Sequence, residues 1–262
     1  MPAVHVEGTP LAYDETGSGP PLVLVHAAIA DRRMWDPVVP LLADAFRVIR
    51  YDARGFGASP AADGPFAHWR DLAAVIQGLD AAPARLIGVS MGGGTVLAVA
   101  AEQPDLLERM VVIAPGIGFS EPSPAILAFW EEEDAALEGG DLDAAAEVNV
   151  RTWLDGPTRA SAEVDPAIRS LVFDMQRRAF ELANPASVEE RPAKPLRSRL
   201  PSITTPMLVM VGELDQPDML EASRAAAEAT QARFISMPGV AHLPPLEAPE
   251  AFVALVRPFL EG

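Results

Sequence analysis

The chain has 262 residues, enough for one large core, and its 49% hydrophobic and 22% charged content is that of a globular protein. A formal net charge of −17 repels nucleic-acid phosphates and anionic membrane surfaces, and no apolar stretch reaches the roughly 20 residues of a membrane span. Cysteine is absent, which excludes disulfides and thiolate catalysis; the four histidines fall in no His-x-His or His-Glu-x-x-His spacing, so neither a metal site nor a cofactor is expected.

In chain order, Val4–Val6 and Leu11–Tyr13 predict an opening hairpin around Gly8-Thr9-Pro10. Leu22–Val25 is an apolar strand running into His26-Ala27-Ala28, and a helix is predicted over Pro37–Ala43 with Asp36 as its cap. Arg47–Tyr51 is the next strand, followed by Asp52-Ala53-Arg54-Gly55-Phe56-Gly57-Ala58-Ser59 and a helix from His68 to Leu79. Arg85–Val89 reads as a buried strand that breaks at Ser90, with Gly88 and Gly92 on either side; a helix then runs from Met91 to Gln103. Met110–Ala114 closes this series of strands.

Alternating strands and helices imply a mostly parallel, doubly wound α/β sheet of about eight strands, whose functional groups collect beyond the carboxyl ends of the strands. Between Pro115 and Pro206 the alternation stops. Helices are predicted from Ser123-Pro124 to Gly139-Gly140, from Asp141 to Gly156-Pro157, and from Asp165-Pro166 to Asn184-Pro185. This organisation predicts a core of residues 1–118 and 202–262 with a helical lid inserted at 119–201. Met207–Val211 restarts the sheet and ends in Gly212-Glu213-Leu214-Asp215; Arg233–Met237 is the last strand, leading to His242, and a helix over Pro249–Leu260 closes the chain.

Gly88-Val89-Ser90-Met91-Gly92 is a Gly-x-Ser-x-Gly pattern in a strand–turn–helix setting, the arrangement that exposes a serine hydroxyl above a sheet. Serine needs a base within hydrogen-bond reach, and the base needs an orienting carboxylate. Among the histidines, His242 sits in a loop after the last strand and is the expected base. His26 is expected to brace the loop after Leu22–Val25. Asp215 is the favoured carboxylate, with Glu213 and Asp218 as rivals and Asp52 as a distant one expected to pair with Arg54 or cap its own loop. The tetrahedral intermediate also needs donors, expected from the Met91 and Ala28 N–H groups.

The chain order Ser90, Asp215, His242, with the Asp52–Ser59 stretch and Gly88–Gly93, resembles the α/β-hydrolase superfamily over essentially the whole length. Met34-Trp35-Asp36-Pro37 with Arg50-Tyr51-Asp52 is similar to the 3-oxoadipate enol-lactone hydrolase branch and to cofactor-free perhydrolases. The family usually has His-Gly where this chain has His26-Ala27, and a required positive φ there would strain an alanine. The resemblance implies a serine hydrolase acting on a small-molecule ester or lactone through an acyl-enzyme. C–C bond hydrolysis, perhydrolysis and a non-catalytic binding protein of the same fold remain alternatives. Trp35, Phe129, Trp130, Trp153, Met175 and Phe180 are candidate pocket walls, and Arg177, Arg178 and Arg191 would serve an anionic substrate if they pointed inward. A cytoplasmic protein, monomer or homodimer, with neither a nucleic-acid nor a membrane partner, is the expectation.

Overall fold

The computed structural model describes residues 2–262. Eight strands form one sheet: β1 Ala3–Val6, β2 Thr9–Thr16, β3 Pro21–Val25, β4 Arg47–Tyr51, β5 Ala84–Val89, β6 Leu107–Ile113, β7 Met207–Gly212 and β8 Arg233–Met237. Their spatial order is β1-β2-β4-β3-β5-β6-β7-β8. Only β1–β2 and β2–β4 are antiparallel pairs; from β4 to β8 all pairs are parallel. The opening turn lies one step earlier than predicted, at Glu7-Gly8, where both φ angles are positive (49° and 82°), and Thr9 and Pro10 belong to β2.

The parallel strands are apolar without alternation because both faces are covered. Leu22, Leu24, Ile87, Val111, Ile113, Leu208 and Met210 point into one core with Trp35 and the closing helix. Their neighbours Val23, Val25, Leu86, Met110, Val112, Met207 and Val209 point into a second core. Helices α1 His68–Gly78, α2 Met91–Glu102 and α6 Pro217–Thr230 cover the second face, and α7 Pro249–Glu261 covers the first.

Between β6 and β7 lie α3 Pro124–Glu138, α4 Leu142–Asn149 and α5 Pro166–Leu182, each capped at the residue expected. Ser123 Oγ accepts from the Ile126 N–H at 3.3 Å, Asp141 from Ala144 at 3.0 Å and Asp165 from Ala167 at 2.7 Å. The second helix does not stay α-helical to Gly156: from Val150 to Asp155 it is π-helical. Glu131, Glu132 and Asp134 face solvent, and Glu133, half-buried, hydrogen-bonds Asn149.

One predicted helix is shortened and loses its expected cap. Residues 37–43 hold only the single turn Val39–Leu42, preceded by a 3₁₀ turn Arg32–Trp35. Asp36 closes that 3₁₀ turn rather than capping a helix, because its carboxylate binds the Arg50 guanidinium. Among the described residues no helix is long and apolar enough to cross a membrane.

Candidate active site

Parallel strands place the ends of β5, β7 and β8 along one edge of the sheet, and the three chemistry-bearing side chains follow those ends. Ser90 connects β5 to α2 with φ 55° and ψ −114°, a conformation that costs on the order of 1–3 kcal/mol and persists only where the surroundings enforce it. They do. The Ser90 N–H donates to Ile113 O (2.8 Å), while its carbonyl accepts from Gly94 (2.9 Å) and Gly116 (2.8 Å). A Cβ on Gly92 would lie 2.6 Å from His26 O and closer still to Val25 O, and one on Gly94 would lie 2.5 Å from Gly116 O. The glycines are therefore there for close backbone packing around the turn.

Asp215 and His242 are each 2% exposed, and Asp215 Oδ2 lies 2.8 Å from His242 Nδ1. The other carboxylate oxygen accepts from the Gln216 N–H at 2.7 Å. Backbone bonds from Glu213 N to Met237 O and from Leu214 N to Val240 O tie the two loops together. A Cβ on Gly212 would overlap Ala241 O, so this glycine permits the histidine loop to cross directly over the end of β7. The rival carboxylates are elsewhere: Glu213 is exposed, and Asp218 Oδ1 accepts from Ser123 N at 2.8 Å. Among the described residues Ser90 and His242 make no direct hydrogen bond.

Asp52 caps its own loop, accepting from Ala58 N at 2.9 Å, but its ion pair is with Arg32 and not with Arg54. Arg54 instead forms a buried fork with Asp71, at 2.6 and 3.0 Å. His26 is fully buried and joins this loop to its own: Nε2 accepts from Ala53 N (3.0 Å), which leaves the proton on Nδ1 to donate to Ala27 O (2.8 Å). Burial holds its pKa below the ordinary histidine value, in keeping with a neutral, bracing ring.

The feared strain at Ala27 is absent, since its φ is not positive. Its N–H points to Met34 Sδ (3.5 Å) and its carbonyl accepts from Ala30 N (3.0 Å). Among the described residues neither the Ala28 nor the Met91 N–H donates to another protein group, and Met91 opens α2.

The expected wall residues divide. The Trp153 ring lies 4.8 Å from the His242 ring and packs edge-on against Phe129 at 5.3 Å. Met175 is buried, and its Sδ receives the Asp31 N–H at 3.3 Å, which joins α5 to the loop after β3. Trp35 is buried in the core with Nε1 unpaired. Trp130 is 39% exposed and lies beside Phe119, and Phe180 is half-buried; neither ring is among the aromatic contacts of His242. Arg177 and Arg178 line a polar cleft of about 440 Å³ with Asp31, Asp52 and Glu181; both pair with Glu181, and Arg177 also with Asp143, while Arg191 is exposed.

Sequence reasoning missed Glu247. Its carboxylate accepts from Ala241 N (3.0 Å) and Leu243 N (3.0 Å), the two amides flanking His242. Only its place five residues beyond the histidine hinted at this. No group of three or more His, Cys, Asp or Glu side chains among the described residues is arranged to hold a metal ion.

A strained serine turn and a buried Asp–His pair at strand ends on one edge of a mostly parallel sheet fit a hydrolase-type architecture. Residues 22–255 match the model of the alpha/beta hydrolase family, and the chain belongs to that family. It is 28% identical over 249 residues to the pimeloyl-[acyl-carrier protein] methyl ester esterase of Neisseria meningitidis, covering 91% of this chain and 92% of the relative. It is 29% identical over 252 residues to a Mycobacterium tuberculosis protein provisionally named as a non-heme bromoperoxidase, BpoC, covering 92% and 94%. The enol-lactonase of Burkholderia xenovorans LB400 superimposes with a TM-score of 0.81 at 28% identity, with all of both chains covered.

Proposed function

We propose that the chain is a serine hydrolase that cleaves a carboxylic ester or lactone of a small hydrophobic substrate through an acyl-enzyme. The observation that carries this reading is the buried His242–Asp215 pair, 2.8 Å long, at the sheet edge that also bears the strained Ser90 turn. With Nδ1–H committed to Asp215, the lone pair is left on Nε2, where it takes the Ser90 proton as Oγ attacks the carbonyl carbon. That step requires Oγ to close to hydrogen-bond distance of Nε2, a contact that tightens when substrate binds. The Met91 and Ala28 amides hold the developing oxyanion, each worth roughly 3–4 kcal/mol of barrier. The alcohol leaves with the proton from His242, and the same imidazole then activates water to release the acid.

Residues 119–201 act as a lid over the core of 1–118 and 202–262, and Trp153 and Phe129 supply an apolar wall suited to a hydrophobic acyl group. The likeness to an esterase and an enol-lactonase supports this class. The likeness to a protein named as a bromoperoxidase favours one second reading, perhydrolysis, in which hydrogen peroxide replaces water at the acyl-enzyme and leaves as peracid. Covalent labelling of Ser90 by a fluorophosphonate, with turnover of p-nitrophenyl acetate and butyrate, tests the first. An unlabelled Ser90 and absent turnover would reject it. Peracid formation from acetate and peroxide at a rate above ester hydrolysis would favour the second.

A further inference from the structure

The end of the lid's second helix reaches into the acid and base loops with unusual thoroughness. A helix leaves its last carbonyls without internal partners. Here four successive ones are taken by groups from outside the turn. Thr152 O accepts from Gln216 Nε2 (2.7 Å), next to Asp215, and Trp153 O accepts from the backbone N–H of His242 itself (3.3 Å). Leu154 O and Asp155 O both accept from the Arg159 guanidinium, the latter at 3.0 Å. Gly156 follows with φ 75°, and a Cβ there would lie 2.5 Å from Leu214 O and 3.4 Å from the Ala241 side chain. The backbone of residue 156 is thus wedged between the neighbours of Asp215 and His242.

Arg159 Nη2 also lies 2.7 Å from Glu247 Oε2, with the two side chains 15% and 5% exposed. Glu247 is the carboxylate that holds the amides on both sides of His242. Behind the turn, Asp155 is buried against Arg169 at 2.8 Å. π-Helical turns are locally costly and concentrate where function needs an altered backbone.

We infer that the π-helical turn Val150–Asp155, latched through Arg159 to Glu247, is a positioning device by which the lid fixes the His242 imidazole against Asp215. The inference rests on the triad reading above. Arg159 and Glu247 are positioning residues: they act on the imidazole through the loop that carries it. Helix-end carbonyls at the histidine also favour the imidazolium that forms during acylation.

The experiment compares R159M, R159K and E247Q with the unsubstituted 262-residue chain on p-nitrophenyl butyrate. A misplacement well under 1 Å is enough for R159M to lose roughly tenfold in kcat with KM within about twofold. R159K, which keeps the charge, recovers most of the loss. The pH profile of kcat/KM separates positioning from general damage. The charges around His242 are Asp215 on its own pair, Glu247 from the following turn, and Arg159 with Asp155, Arg169 and Glu147, which Arg169 joins, from the lid. Removing Arg159 leaves Glu247 uncompensated and moves the acid limb to higher pH; E247Q leaves Arg159 uncompensated and moves it to lower pH. Opposite displacements are the expected signature. Wild-type kcat in all variants, a change in KM alone, or displacements of one sign overturn the latch. If R159M fails to fold, E247Q and R159K decide the matter through the same profile. Fluorophosphonate labelling of the wild type keeps the two readings apart: a labelled Ser90 with unaffected variants rejects the latch alone, whereas an unlabelled Ser90 rejects the triad beneath it.

Discussion

The Nδ1 of His242 and the Oδ2 of Asp215 lie 2.8 Å apart, both side chains withdrawn from solvent, although the two residues stand 27 positions apart in the chain. The carboxylate fixes which ring nitrogen carries the proton. Asp215→Asn keeps the shape and removes that control, so kcat for p-nitrophenyl butyrate falls by about ten-thousandfold. Unfolding measured by circular dichroism remains close to wild type. Full activity in the Asp215→Asn variant would mean that another carboxylate orients the base.

Loss of the serine hydroxyl has a sharper signature. Ser90→Ala lowers turnover by at least about a thousandfold and abolishes fluorophosphonate labelling, leaving only what oriented amides and binding supply. Intact-mass measurement reads the adduct directly. Labelling of a different residue in the Ser90→Ala variant would move the nucleophile elsewhere.

Gly92 faces the carbonyls of Val25 and His26 with no room for a methyl group. Gly92→Ala therefore forces the serine turn away from β3 and lowers unfolding stability by about 2 kcal/mol or more. Urea denaturation measures it. Activity falls further than stability, because the displaced turn carries Ser90, the nucleophile proposed above.

At Ala27 the opposite holds. The backbone there needs no left-handed freedom, and the Ala27 methyl is buried in the first core, so glycine both gives up that packing and adds entropy to the unfolded chain. Ala27→Gly is expected to cost about 1–2 kcal/mol of stability, entropy and lost packing together. Its kcat stays near that of the wild type. A marked rise in kcat would show that the alanine was holding the loop after β3, the proposed source of an oxyanion donor, in a poorer shape.

His68 is buried between the rings of Phe56 and Phe66, its Nδ1 unpaired, and burial pulls its pKa from 6.5 down to about 4. The unfolded chain binds this proton more readily than the folded one. Stability is therefore unaffected above pH 6.5, is lost as pH falls from 6.5 towards 4, and the loss is complete below that, at about 3 kcal/mol. The slope of unfolding free energy against pH in this window should flatten in His68→Phe. An unchanged slope would show that His68 finds a solvating partner on protonation.

Local order along the chain was enough to determine the sheet and to set Ser90, Asp215 and His242 beyond its strand ends. Unbroken apolar runs such as Leu22–Val25 and Met207–Val211 can only be strands covered on both faces. The Gly-x-Ser-x-Gly break can only be a tight strand-to-helix turn, and caps such as Ser123, Asp141 and Asp165 mark helix starts through bonds made within three residues. Where the outcome depended on partners distant in sequence, only the tertiary structure decided. Asp36 lost its capping role to Arg50, Asp52 went to Arg32, and Arg54 to Asp71. The fit of Gly156 between Leu214 and Ala241, and the hold of Arg159 and Glu247 on the histidine loop, have no periodicity or spacing to announce them. The reason is physical: propensity and pattern act through neighbours along the backbone, whereas the partner of a buried charge is chosen by whichever opposite charge folding brings within a few ångströms.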